Sequence, residues 1–275
     1  MRRISHEQRR LGLSPAFYAT DLEPLLEPRD WMTLIHLLNE DYAELDQGQA
    51  APVEAARWLF ARFDAARTAA GAPPAFSGLD PAVEEALATA LEEEARARFD
   101  ALETARPPSL DGRTVVIEAA RGAGEGVRPP YAEPNGYAHA LAGLAPEILE
   151  RAVVLYVWVT PQESRRRNRE RARPGREGDA SILHHGTSEQ VMRHDYAGDD
   201  IAWLLDHGDR SGCITITAHG RRFHLPTVRF DNRTDHTSFL RDDPGRWPPD
   251  AVERLHHMLR DAFDRLHLLR ARRPG

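Results

Sequence analysis

Between Ser164 and Glu177 the chain reads RRRNRERARPGR, a run of arginines from Arg165 to Arg176. Clustered guanidinium groups repel one another. That cost is offset when they bind a polyanion, because guanidinium meets phosphate oxygens through paired, parallel hydrogen bonds. A solvated basic helix face is the other reading open to the run taken alone. A second group of reactive types follows in SILHHGTSEQVMRHDYAGDD, residues 181–200, which carries His184, His185, His194, Asp195, Asp199 and Asp200. These nitrogen and oxygen donors suit a divalent ion and would serve a metal-dependent hydrolase. Adjacent His184 and His185 lack the i, i+4 spacing of a helical zinc motif, so a polar loop is the competing reading. Tyr131 and Tyr137, with Trp31, would shape a small-molecule pocket, and with Trp158 they would stack nucleic-acid bases.

These residues need elements to position them. Apolar spacings of three and four predict helices over WMTLIHLLNEDYAEL and PVEAARWLFARFDAARTAAG, and PAVEEALATALEEEARARFDALETA is a long amphipathic helix with Pro81 at its start. The texture then changes. TVVIEAARG and VVLYVWV are β-branched runs without alternation, expected as strands buried on both faces of a parallel sheet. Between them a Gly/Pro-rich loop leads into the helix AHALAGLAPEILERA. Two late strands, CITIT and FHLPTVRFDN, flank the turn AHGRR as a hairpin or sheet edge, and PDAVERLHHMLRDAFDRLHLL is a closing helix. The extended AFYAT, ending near Asp21, reads as an early strand. This alternation predicts a doubly wound α/β sheet.

Composition narrows the class. A 275-residue chain with 41% hydrophobic residues can bury a sizeable core, and no apolar run is long enough for a membrane helix. No apolar region follows the N-terminal arginines as in a secretion signal, so the expected location is the cytoplasm. The formal net charge of -7 argues against a dedicated nucleic-acid binder. Every one of the 36 lysine-plus-arginine residues is arginine, which excludes Schiff-base or phosphate-binding lysine chemistry for these residues. The single cysteine, Cys213, has no partner for an internal disulfide and reads as a small strand residue.

The segment LYVWVTPQESRRRNRERAR resembles the lid region of P-loop nucleoside and nucleotide kinases, in which a strand of the form LYVxVxPE precedes RxxxRxR. The matching positions are Leu155, Tyr156, Val157, Val159 and Pro161, then Arg167, Arg171 and Arg173. TVVIEAARG is similar to the family strand that ends in an acid followed by an arginine, and PTVRFDN to its late strand. The resemblance implies a doubly wound, mostly parallel sheet forming one α/β domain over 1–275, with a helical acceptor-side insertion at 22–110 and an arginine-rich lid at 160–200. It also implies roles. Glu118 would be the base or metal-associated carboxylate, Arg121 a substrate contact, and Arg167, Arg171 and Arg173 the lid arginines that neutralise a transferring phosphoryl group. Asp21 would bind the acceptor, alongside the pocket residues Tyr131 and Tyr137, and Asp231 and Asn232 would lie beside the nucleotide base.

The function so implied is phosphoryl transfer from ATP or another nucleoside triphosphate, with magnesium, to a small hydroxyl-bearing acceptor. RISHEQRRLGLSPAFYATDLE resembles the back of the family's first helix and its second strand, but no GxxxxGK[ST] occurs in these residues. Two expectations follow: a start upstream of Met1 that carries the phosphate loop, or a fold that has discarded it. In the second case the protein would be a non-catalytic, pseudokinase-like module binding a nucleotide or a protein partner. Neither case calls for a membrane.

Overall fold

A computed structural model describes residues 1–48, 50–171 and 186–272. The chain forms two compact units: Met1–Ala119 with Gly143–Ala145, and Ala120–Ala142 with Pro146–Gly275.

The first unit is helical. It contains α1 (Arg2–Arg10), α2 (Asp30–Gln47), α3 (Ala55–Ala69) and α4 (Pro81–Ala105). In α4 the Asp80 carboxylate accepts from the Ala82 amide at 2.9 Å and Pro81 occupies the first turn, where its missing N–H costs nothing. The same helix buries Leu87, Leu91, Ala95 and Phe99, a four-residue repeat along one stripe. Glu92, on the exposed side of that stripe, reaches the start of α3 and accepts from the amides of Ala55 and Ala56 at 2.9 and 2.8 Å. These hydrogen bonds hold its carboxyl below the usual range. Phe17, Phe60, Phe63 and Phe76 meet at the centre, with Phe60 and Phe76 stacked at 4.3 Å. Beside them lies a buried ion pair, Asp30 with Arg67 at 3.1 Å.

Two expected strands do not form in this unit. The amides of Ala16, Phe17 and Tyr18 are taken by side chains of α1, namely Gln8 Oε1 at 2.8 Å and Ser5 Oγ at 3.2 and 3.1 Å. Those amides are then unavailable to a sheet ladder, and AFYAT becomes an irregular turn that drives Phe17 into the core. The run Thr114–Ala119 is irregular and pairs with none of the described strands, and Val116 is 85% exposed.

The second unit holds the sheet. β1 (Val154–Trp158), β2 (Cys213–Ala218) and β3 (Arg221–Asp231) are ordered β1-β3-β2. β1 runs parallel to β3, from Val154 opposite Thr227 to Trp158 opposite Asp231, and β2 pairs antiparallel with β3. The hairpin turn places His219 at φ 51° and Gly220 at φ 72°, the pair of positive φ values that matches the right-handed twist of the strands. Around it stand α5 (Gly136–Ala142), α6 (Pro146–Arg151), α7 (Pro161–Arg171), α8 (Glu189–Asp195), α9 (Ile201–Asp206) and α10 (Pro249–Ala271). The helix expected over AHALAGLAPEILERA is thus broken into α5 and α6 at Gly143–Ala145. α10 covers the sheet face of Leu155 and Val228 with Ala262 and Leu266, while Ile214, Ile216, Phe223 and Leu225 are buried on the other. Cys213 is buried in β2, as its strand reading anticipates.

A doubly wound, mostly parallel sheet of P-loop kinase type is therefore not the architecture. Among the described residues three strands make a mixed sheet, because the two late strands close as a hairpin and neither AFYAT nor TVVIEAARG joins β1. No helix of the described residues is long and apolar enough to cross a membrane.

Candidate functional site

The second unit gathers Arg121, Tyr131, Tyr137, Tyr156, Asp199 and Asp200 from five separate segments. Tyr156 lies on β1 opposite Arg229, and its hydroxyl donates to Asp199 Oδ2 at 2.6 Å. Asp199 lies two residues before α9; its Oδ1 accepts from the Ile201 amide at 3.0 Å and its carbonyl accepts from the Tyr131 hydroxyl at 3.2 Å. Next to it Asp200, 1% exposed, takes the amides of Tyr137 and Ala138 at 2.6 and 3.0 Å. Those amides belong to the first turn of α5 and have no acceptor within the helix, so a carboxylate from elsewhere in the chain caps it.

Close main-chain approach makes this convergence possible. Ala123 and Gly198 form a short antiparallel bridge, with the Ala123 amide on the Gly198 carbonyl at 3.0 Å, and Gly136 donates to the Gly122 carbonyl at 3.0 Å. Gly136 sits at φ +81°, and a Cβ there would fall 2.6 Å from Asp200 Oδ2 and 2.7 Å from the Tyr131 ring. Glycine is what lets the capping acid and the tyrosine share that corner.

The electrostatics run one way. Burial, reinforced by Asp199 and Asp200, pushes the Tyr131 phenol up to about 12. Burial likewise takes Tyr137 up to about 12, against a main-chain hydrogen bond from Arg121. Tyr156 is raised by burial and by its bond to Asp199, while burial raises Asp199 although Tyr156 stabilises its anion. Burial also lowers the Arg121 guanidinium, with Tyr196, Tyr137 and Asp195 as its charged-form neighbours. Every shift disfavours the ionised form. Such clustering of perturbed groups marks functional sites, and a partly desolvated guanidinium gains more from an anion than an exposed one does. Beside Arg121, Asp195 is 7% exposed; its Oδ1 meets His194 Nδ1 at 2.7 Å, and its Oδ2 is a buried acceptor without a hydrogen-bond donor.

Three residues named from sequence, Arg121, Tyr131 and Tyr137, are thus brought together. Asp199 and Asp200, named only as metal donors, act instead as hydrogen-bond acceptors for a tyrosine and a helix end. Tyr156 was named only as a strand position of the kinase resemblance, with no role in a site. For Asp199 the signal was GDD just before the apolar IAWLL, where a residue that accepts a helix-start amide belongs; Asp200 caps the distant α5, for which the sequence carries no local signal.

Other named residues lie elsewhere. Asp21 and Glu118 belong to the first unit: Asp21 is exposed and receives Arg9 Nη2 at 3.4 Å, and Glu118 is exposed on the irregular run Thr114–Ala119. Arg167 is largely buried; it donates to Glu163 Oε1 at 2.7 Å and to the Asn232 carbonyl, tying α7 to the end of β3. Arg166 is held by Glu163 and Glu170, and those arginines keep the Glu163 carboxyl down at about 2. Asp231 pairs with Arg233 at 2.7 Å, which holds it near about 2. Asn232 builds the following turn, accepting the His236 amide at 2.7 Å and donating to Thr237 Oγ1 at 2.8 Å. Trp158 lies under the guanidinium groups of Arg229 and Arg233, at 4.2 and 3.8 Å. Arg171 ends α7, whereas Arg173, His184 and His185 lie outside the described residues. Among the described residues no group of three or more His, Cys, Asp or Glu could hold a metal ion.

Comparison with protein families, with curated proteins and with solved structures finds no match.

Proposed function

We propose that the second unit binds a small phosphate-bearing, hydroxyl-bearing molecule, of the nucleotide or sugar-phosphate kind, at the Arg121 cluster, and that it does so as a binding module. The observation that carries this reading is the convergence of Arg121 with Tyr131, Tyr137, Tyr156 and Asp199, five groups whose ionisation is shifted together. In this reading Arg121 meets the phosphate through charge-assisted hydrogen bonds, and the tyrosine rings exclude water around it. Asp195 Oδ2 is the acceptor for a ligand hydroxyl. Binding is favoured over transfer from a nucleoside triphosphate by two features. These 275 residues contain no lysine, and the guanidinium of Arg167 is engaged by Glu163 and Asn232.

The test is isothermal titration of the full chain with inorganic phosphate, AMP and magnesium ATP, repeated on Arg121→Gln. A hydrogen bond to a charged group is worth about 1.5–3 kcal/mol, so the variant should bind about 10- to 100-fold more weakly. Equal binding by both proteins removes Arg121 from the site. Turnover of ATP by the parent chain, lost in Arg121→Gln, would replace the binding reading with a catalytic one.

A further inference from the structure

A concave surface lies wholly within the first unit and takes no part in the site above. The C-terminal halves of α2 and α4 and residues Val115–Glu118 line a groove of about 280 Å³. Its walls are apolar, with Leu38, Leu45, Leu102, Val115, Val116 and Ile117. Leu102 is 55% and Val116 85% exposed, so water meets apolar surface that a folded chain ordinarily covers.

Its polar groups are almost all of one sign. Asp41, Glu44, Glu103 and Glu118 face a single cation, Arg106. Asp41 already has Arg62 at 2.6 Å, and Glu103 has Arg106 at 3.0 Å. Glu118 forms no ion pair with any described residue. Glu44 is raised above the usual carboxylate range by burial, with Asp41, Glu40 and Glu103 adding repulsion that Arg62 only partly opposes. An apolar hollow rimmed by carboxylates is complementary to a molecule with an apolar body and a positive head. The volume lies just below the range of about 300–1,000 Å³ typical of drug-sized ligands, which suits a smaller molecule.

We infer that this groove binds a small organic cation, its apolar body against Leu38, Leu102 and Val116 and its ammonium group toward Glu44 and Glu118. Aromatic and aliphatic primary amines are the ligand class. Anions of the kind proposed for the Arg121 cluster are repelled here, so the two sites discriminate by charge.

The experiment is isothermal titration of the full chain with phenethylammonium, against 2-phenylethanol and 3-phenylpropionate as neutral and anionic probes of similar shape. Saturable binding of the amine is expected, with the alcohol and the acid at least about tenfold weaker. Glu118→Gln and Glu44→Gln should each weaken the amine by up to about fivefold, the upper end for an exposed ion pair. Leu102→Arg should abolish binding by placing a cation across the groove, and because Leu102 is exposed the variant should keep the parent's circular dichroism and melting curve. Equal affinity for amine and alcohol, an amine affinity unchanged in both glutamine variants, or no saturable amine binding would each overturn the inference. None of these outcomes bears on phosphate binding at Arg121.

Discussion

Asp200→Ala is the most informative single perturbation of the second unit. The wild-type carboxylate accepts two main-chain N–H groups, from Tyr137 at 2.6 Å and Ala138 at 3.0 Å, and is almost fully buried. Each hydrogen bond to a charged acceptor contributes about 1.5–3 kcal/mol, and removing the acceptor strands two donors at a helix start that has no internal partner for them. Allowing for partial access of water to the freed amides, the expected loss is about 3–5 kcal/mol. For a domain of this size each kcal/mol lowers Tm by about 2–4 °C, so a fall of about 6–20 °C is expected. Asp200→Asn keeps one acceptor and loses the charge, and should cost about 1–2 kcal/mol. Because two units need not unfold together, the cleaner assay is amide hydrogen exchange at Tyr137 and Ala138 themselves. Their protection should collapse in Asp200→Ala while the β2–β3 ladder amides lose only what the global change dictates. Unchanged protection at those two amides, or a loss below about 1 kcal/mol, would show that α5 is held by other contacts and that the cap is incidental.

Two further outcomes follow from the same geometry. Arg167→Ala should destabilise the second unit by about 2–4 kcal/mol in chemical denaturation, since it breaks a buried tie to Glu163 and Asn232, yet change phosphate affinity less than about threefold; a tenfold loss of affinity at constant stability would make Arg167 a ligand contact instead. Asp199 has a folded pKa raised above its ordinary 3.8, so the stability linked to its proton is complete below that value and is lost as pH rises through the folded pKa. Asp199→Asn should therefore melt higher than the parent at neutral pH and lose that acid-side dependence, and a parallel pair of stability–pH curves would refute the assignment.

Much of this protein was legible before any fold was known, but not evenly. The helices α2, α3, α4 and α10 follow from apolar residues spaced by three and four, because a helix is specified by contacts along its own length. The β2–β3 hairpin is similarly local. TVVIEAARG and VVLYVWV have the same texture, yet only the second becomes a strand; a β-branched run needs a partner for its amides, and β1 finds one in β3 while Thr114–Ala119 finds none among the described strands. AFYAT fails for the opposite reason, since Ser5 and Gln8 of α1 take its amides first. The expected doubly wound sheet depended on both of these segments.

Residue types alone determined which chemistries were open: with 36 arginines and no lysine, an anion bound by these residues is held without an ammonium group, by guanidinium, imidazole, amide, hydroxyl or main-chain N–H donors. The aromatic types also singled out Tyr131 and Tyr137, whereas Arg121 was named only through the kinase resemblance. Only the tertiary structure decided that these three meet Tyr156 and Asp199, that Asp200 is a helix cap, and that Arg167 is a structural tie. Hydrogen-bond partners distant in sequence are chosen by which segments come within about 3 Å of one another, and burial at the place they meet sets which groups hold their protons.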